Sequence, residues 1–180
     1  MNSLRYSVTL TLSLLMFAGC SAEEPKQPAA PKTNDAAARL VLQSDPGDAI
    51  GVVEAKENGQ ADGVIVEGRV HDMVKGFAVV KIMDTELKYC GEVHAEDCET
   101  PWDYCCDSPD RRKDNSLLVE FRDAAGKPIA TPALPNTRHC DLVKVRGKMT
   151  VDEHGSHVLV ADGIFQVERP ELPEFVKWPQ

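Results

Sequence analysis

Sulfur is the chemistry this sequence concentrates. Cys90, Cys98, Cys105 and Cys106 fall within seventeen residues, and Cys140 follows directly after His139. Thiols grouped this way can pair as disulfides, hold a soft metal ion as thiolates, or act as nucleophiles. For metal binding, Zn or Cu would be the ions, with His94 and His139 as nitrogen donors and Asp103 as an oxygen donor close in sequence. The spacing is not the paired Cys-x-x-Cys of a zinc ribbon, since the gaps are seven, six, zero and thirty-three residues. A Cys-x-x-Cys redox pair with a depressed first pKa is also missing. Adjacent Cα atoms stand about 3.8 Å apart, closer than a relaxed disulfide prefers, so Cys105 and Cys106 should each bond elsewhere. The expectation is a stapled loop with one bridge to Cys140, contributing roughly 2–4 kcal/mol. Cys20 aside, these are five of the six cysteines, an odd number that leaves one thiol over.

Between Cys98 and Cys105 stands Thr100-Pro101-Trp102-Asp103-Tyr104. Pro101 restricts the backbone, Asp103 can accept N–H bonds within a turn, and Trp102 and Tyr104 can shield sulfur from water. Two readings stay open: a miniature core for the loop, or a surface that docks a protein or another envelope component through Trp102.

The N-terminus indicates where such sulfurs would work. Arg5 precedes an uncharged, mostly apolar run over 8–17, too short for the ~20 residues that cross a bilayer and of the length of an export signal. Phe17-Ala18-Gly19-Cys20 resembles a bacterial lipobox, which implies cleavage of 1–19 and lipid on Cys20. Residues 20–43, rich at their start in Pro, Ala, Lys and Glu, read as a disordered tether. The expected location is therefore the cell envelope, anchored to a membrane on the periplasmic or outer-membrane face, where disulfides persist. Cleavage would remove only Arg5 among the charges and make the net charge of −9 one unit more negative. Such a surface repels phosphate backbones and disfavours nucleic acid as a partner.

The elements that must position the sulfurs follow from periodicity. Asp45-Pro46 with Asp48 predicts a short helix over 46–57 that stops at Asn58-Gly59. The pattern then changes to period two. Alternation gives strands over 64–71, 117–122 and 142–149, the evenly apolar 76–84 reads as a strand covered on both sides, and 158–167 closes the set with a bulge at Asp162-Gly163. Val66-Glu67-Gly68-Arg69-Val70 is echoed by Val145-Arg146-Gly147-Lys148-Met149, each with a mid-strand glycine that lets a small barrel coil sharply. Together these give an all-β fold: a five-stranded OB-like Greek-key barrel over 44–168, with one short N-terminal helix. Residues 85–115 form a cysteine-rich loop between strands two and three, far longer than a hairpin needs. The segment 127–139 reads as a loop where the OB-fold often has a helix, and 169–180 as a Pro/aromatic tail whose Phe175 or Trp178 packs back.

Cys90, Cys98 and the run Thr100–Cys106, after a strand ending in Asp84, resemble small OB-like lipoproteins of planctomycete-type bacteria, over roughly 64–167. That resemblance implies fold and location and nothing about mechanism. Elsewhere, His154 and His157 flank a hairpin, and Arg111-Arg112-Lys113 among aspartates reads as a solvated loop. No phosphate loop or hydrolase motif is present. The expectation is a non-catalytic binding or structural module, with a thiolate Zn or Cu carrier or sensor as the alternative. Oligonucleotide binding rests on fold analogy alone.

Overall fold

Alternation in the sequence becomes alternation of burial in the computed structural model, which describes residues 37–93 and 98–171. In β1 (Ala61–Met73), Val66, Gly68 and Val70 are buried while the residues between them are half-exposed. The same period runs through β3 (Ser116–Phe121) and β4 (Leu142–Val151). In β2 (Val79–Met83) all but Lys81 are buried, because the strand is covered on both sides. β5 (His157–Glu168) completes a closed barrel in the order β1-β2-β3-β5-β4. All pairings are antiparallel except β3 with β5. This is the expected OB-like all-β barrel, and its interior is a core of Val66, Val70, Ile82, Phe121, Met149 and Leu159 among others.

Closure depends on the two mid-strand glycines and on the bulge. Arg146 pairs with Gly163 but Gly147 with Ala161, so Asp162 is the extra residue, as the sequence indicates. A Cβ on Gly147 would overlap the Val160 carbonyl oxygen and lie 2.8 Å from the Ala161 Cα. On Gly68 it would sit 2.8 Å from the Met83 carbonyl oxygen. Both contacts are to backbone, which cannot rotate away.

The helix differs from expectation. The observed α1 (Val52–Asn58) starts six residues later than predicted, and its N-cap Gly51 offers no side chain. Asp45 does not cap it. Its carboxylate accepts from the Gly47 N–H at 2.9 Å and binds the Lys144 ammonium through both oxygens at 2.9 Å. Ile50 is instead drawn into a bridge with Val66, donating to the Ile65 carbonyl at 3.0 Å and accepting from the Glu67 N–H at 2.9 Å. Those bonds satisfy backbone groups that a helix would have used. The cap comes from the end of β2, where buried Asp84 accepts the Val53 N–H at 3.0 Å. Gly51 is required because a Cβ there would lie 2.9 Å from that carboxylate oxygen. The predicted stop holds, with Gly59 at φ 71°.

Part of the segment assigned to the tether packs on the barrel. Leu40 and Val41 lie against the core, and the Leu42 N–H donates to the Ile164 carbonyl at 2.8 Å. After β5, Arg169 forms a two-pronged ion pair with fully buried Asp141, at 2.8 and 2.7 Å, and donates to the Asn136 carbonyl. The expected loop at 127–139 is irregular as predicted, touching the barrel by isolated bridges such as Phe77 with Ala130. Cys20, His94, Phe175 and Trp178 lie outside the described residues. Among the described residues, no helix is long and apolar enough to cross a membrane.

Gly147→Ala should destabilise the domain by about 1–3 kcal/mol, the usual cost of forcing atoms into a filled site. A thermal midpoint equal to that of the parent would contradict the close approach of β4 and β5.

Candidate functional site

The long connection between β2 and β3 has a core of its own. Met83, Leu87, Tyr89, Tyr104 and Cys140 form a second buried cluster, with Trp102 packed against it. Two short helices, α2 (Cys90–Val93) and α3 (Pro109–Asp114), shape the rest. Tyr104 is fully buried and meets the His71 ring edge-on at 5.3 Å between centroids. Of the two readings of the aromatic run, the miniature core describes where Trp102 and Tyr104 lie.

Backbone pairing folds the loop on itself. The Cys90 N–H donates to the Asp103 carbonyl and the Gly91 N–H to the Pro101 carbonyl, both at 2.7 Å. Gly91 permits this, since a Cβ would lie 2.9 Å from the Pro101 oxygen and 3.0 Å from the Tyr89 ring. Asp103 accepts within its turn as expected, from the Tyr104 N–H at 2.7 Å, and also faces the His71 Nε2 at 3.1 Å. Burial pushes the Asp103 carboxyl up, but the Tyr104 N–H, His71 and Arg112 together hold it below its ordinary value. At the far end, Lys56 of α1 donates to the carbonyls of Lys113, Asp114 and Ser116, at 3.2, 2.6 and 3.3 Å. It thereby satisfies the C-terminal end of α3.

This folding brings three thiols together. The Cys90 sulfur lies 3.2 Å from that of Cys105 and 3.6 Å from that of Cys106. The sulfurs of Cys90, Cys105 and Cys106 all lie within 4.8 Å of one another. Cys98 is half-buried, with its sulfur 3.9 Å from the Thr100 hydroxyl. Cys140 belongs to a different place. It is buried, adopts φ 65°, and directs its thiol to the Trp102 carbonyl at 3.6 Å. Among the described residues all five cysteines carry free thiols, and the expected tie between the loop and Cys140 is this contact and not a bridge. His139 and Asp103 do not join the thiols. His139 lines a separate, largely apolar cavity with Phe77 and Leu134.

The three thiols are not equivalent. Burial, then the neighbouring Cys105, pushes Cys90 up to about 12. The Cys90 thiol facing it holds exposed Cys105 below the ordinary thiol range, with further help from Cys106 and Cys98. Burial pushes Cys140 up to about 12. The arrangement therefore supplies one exposed sulfur that ionises readily, beside one buried sulfur that keeps its proton. Sequence reasoning found the cysteines but not this pairing, because the signal is a glycine, Gly91, next to Cys90 and not a Cys-x-x-Cys spacing.

The basic run 111–113 is not a plain solvated loop. It lies in α3, where Arg111 pairs with Asp107 at 2.8 Å while Arg112 and Lys113 turn to a cavity shared with the barrel.

No family model matches the chain, and no curated protein matches it. Solved structures that resemble it include a putative aspartyl-tRNA synthetase from Leishmania major Friedlin, at 12% identity and a TM-score of 0.40. Another is the aspartyl tRNA synthetase from Entamoeba histolytica, at 13% identity and a TM-score of 0.41. They cover 73% and 74% of this chain, which spans about a quarter of their length, 23% and 25%.

Alkylation of the native, reduced protein should label Cys105 first and Cys90 and Cys140 last. Because thiolate is the reacting form, Cys105 labelling should persist to lower pH than that of a free thiol, and Cys90 should stay slow until strongly alkaline pH. Equal rates at Cys90 and Cys105, read by peptide mass, would contradict the asymmetry.

Proposed function

We propose that this protein is an envelope module, anchored through lipid on Cys20, whose barrel carries a thiolate site for a soft metal ion, Zn²⁺ or Cu⁺. The observation that carries this reading is the gathering of three sulfurs, from α2 and from the turn after Tyr104, within 4.8 Å. Thiolates about 2.3 Å from a zinc ion stand roughly 3.8 Å apart at tetrahedral angles, so small side-chain shifts would let Cys90, Cys105 and Cys106 share one ion. Cys98, beside Cys105, is the natural fourth ligand. A cation would lower the pKa of Cys90 by supplying the positive charge that its buried surroundings lack. Two exposed ligands suit exchange of the ion with a carrier better than a closed structural site would.

The test is a titration of the reduced full chain, without oxygen, against a chromophoric chelator. The expected result is about one Zn²⁺ or Cu⁺ per chain, lost in Cys90→Ser and Cys105→Ser and kept in Cys140→Ser. Parent protein that takes up no ion would overturn the reading.

The 3.2 Å contact between Cys90 and Cys105 favours a second reading. Each thiol would lose a proton and an electron to a disulfide-exchanging oxidant, giving a stapled loop that docks a protein or another envelope component through the half-exposed Trp102 and Asp103, with buried Pro101 and Tyr104 holding them in place. Mass mapping of protein taken from its envelope without reductant should then find a Cys90–Cys105 linked peptide. Unlinked Cys90 with bound metal would decide for the first reading.

A further inference from the structure

We propose that the cleft between α3 and the β1–β3 face of the barrel is a binding site for a small phosphate-class dianion, either inorganic phosphate or a phosphate monoester. The cleft has a volume of about 300 Å³. Its charged or ionisable walls are His71 from β1, Lys81 from β2, and Arg112 and Lys113 from α3, and Met83, Pro109 and Ser116 complete it. No carboxylate lines it, in a chain whose net charge is −9. Three permanent cations facing one cleft repel one another, and an anion between them removes that cost.

Two of its wall residues carry a buried polar atom without a partner. The Nε of Arg112 is a permanent donor with no hydrogen-bond partner, while the Nδ1 of His71, also without one, is the acceptor nitrogen of a neutral ring whose Nε2 faces Asp103 and adds no donor for an anion. The other ring nitrogen of His71 is occupied by Asp103 at 3.1 Å. Asp103 is bonded to His71 and the Tyr104 N–H, and its charge, which also acts on Arg112, offsets one of the three positive charges at most. Arg111, one residue away, is already satisfied by Asp107 at 2.8 Å and does not line the cleft. Adjacent arginines on one short helix are thus divided, one paired on the surface and one held toward the cavity.

The number of cations selects the ligand. One carboxylate would leave two of the three positive charges unmatched, whereas a dianion with several acceptor oxygens can meet an arginine fork and two ammonium groups together. A nucleic acid strand would have to approach across a strongly acidic surface, while a single small anion need only enter the cleft. The apolar contribution of Met83 and Pro109 leaves room for a small organic substituent on the phosphate.

The experiment is calorimetric titration of the full chain at constant ionic strength with inorganic phosphate, methyl phosphate, acetate and chloride. Saturable binding is expected for phosphate, and for acetate and chloride none. Lys81→Gln and Arg112→Gln should each weaken phosphate binding by about tenfold or more, the usual loss for a charge-assisted hydrogen bond, while Arg111→Gln leaves it unchanged. Should Arg112→Gln fail to fold by circular dichroism, Lys81→Gln decides. Methyl phosphate binding as well as phosphate assigns the site to monoesters, and its exclusion assigns it to the free ion. Absence of saturable phosphate binding, or an equal loss in Arg111→Gln, would overturn the proposal.

Discussion

One guanidinium holds the cysteine loop to the barrel. Arg69 projects from β1, donates to the Cys140 carbonyl at 3.2 Å, and pairs with Glu92 of α2 at 3.4 Å. It also lies over the Tyr89 ring, 5.5 Å from the centroid, and reaches Glu168 at the end of β5. Its planar, permanently charged fork can serve a carbonyl, two carboxylates and an aromatic face at once, which an ammonium could not. With the side chain only 15% exposed, these contacts are poorly screened by solvent. Glu92 stands two residues from Cys90 in α2, so Arg69 holds the short helix that carries the buried thiol.

Around that anchor the barrel and the loop constrain each other. The Val70 N–H donates to the Asp141 carbonyl and the Cys140 N–H to the Val70 carbonyl, which extends the β1 pairing beyond the start of β4. Asp141 is fixed in turn by Arg169 and by the Arg138 N–H, so the end of β5, the start of β4 and the 127–139 segment share one buried charge. Arg169 is about one-third exposed, so solvent screens part of this pair, and Asp141 keeps the Arg138 N–H when Arg169 is removed. On the other side, Asp84 ends β2, caps α1, and turns the chain into the loop by accepting the Glu86 N–H at 3.0 Å. The loop is therefore tied at Asp84, Arg69 and Lys56 before any sulfur takes part.

The barrel was legible in the sequence because its signals are local. Alternation placed most of the strands and an evenly apolar run placed β2, and the repeated mid-strand glycines marked where strands approach closely. Asp162-Gly163 marked the bulge. The helix start failed because Asp45-Pro46 carries a local capping signal that lost to a non-local one: Ile50 pairs with β1, and Asp84, more than thirty residues on, supplies the cap. The tether boundary failed for the same reason, since Leu40 and Val41 are buried only by contact with distant β5. Within the loop, composition located the sulfurs and the turn at Asp103. Their pairing depends on the packing of Gly91 against Pro101, which no spacing rule encodes.

The same limit applies to charge. Read along the chain, Arg111, Arg112 and Lys113 are diluted by Asp107, Asp110 and Asp114 and look neutral on balance. A single turn of helix separates them by direction. Arg111 meets Asp107 across the i, i+4 spacing, while Arg112 and Lys113 face the barrel and meet Lys81 from β2. The stretch from Cys105 to Lys113 thus serves two chemistries: its start presents thiols, and its end contributes cations to a cleft. Both are set by one connection that is tied at Cys90 by the Asp103 carbonyl and at α3 by Lys56. An overlong excursion from a small barrel is in this way shaped by backbone and charge, and the sulfurs inherit the geometry that those contacts impose.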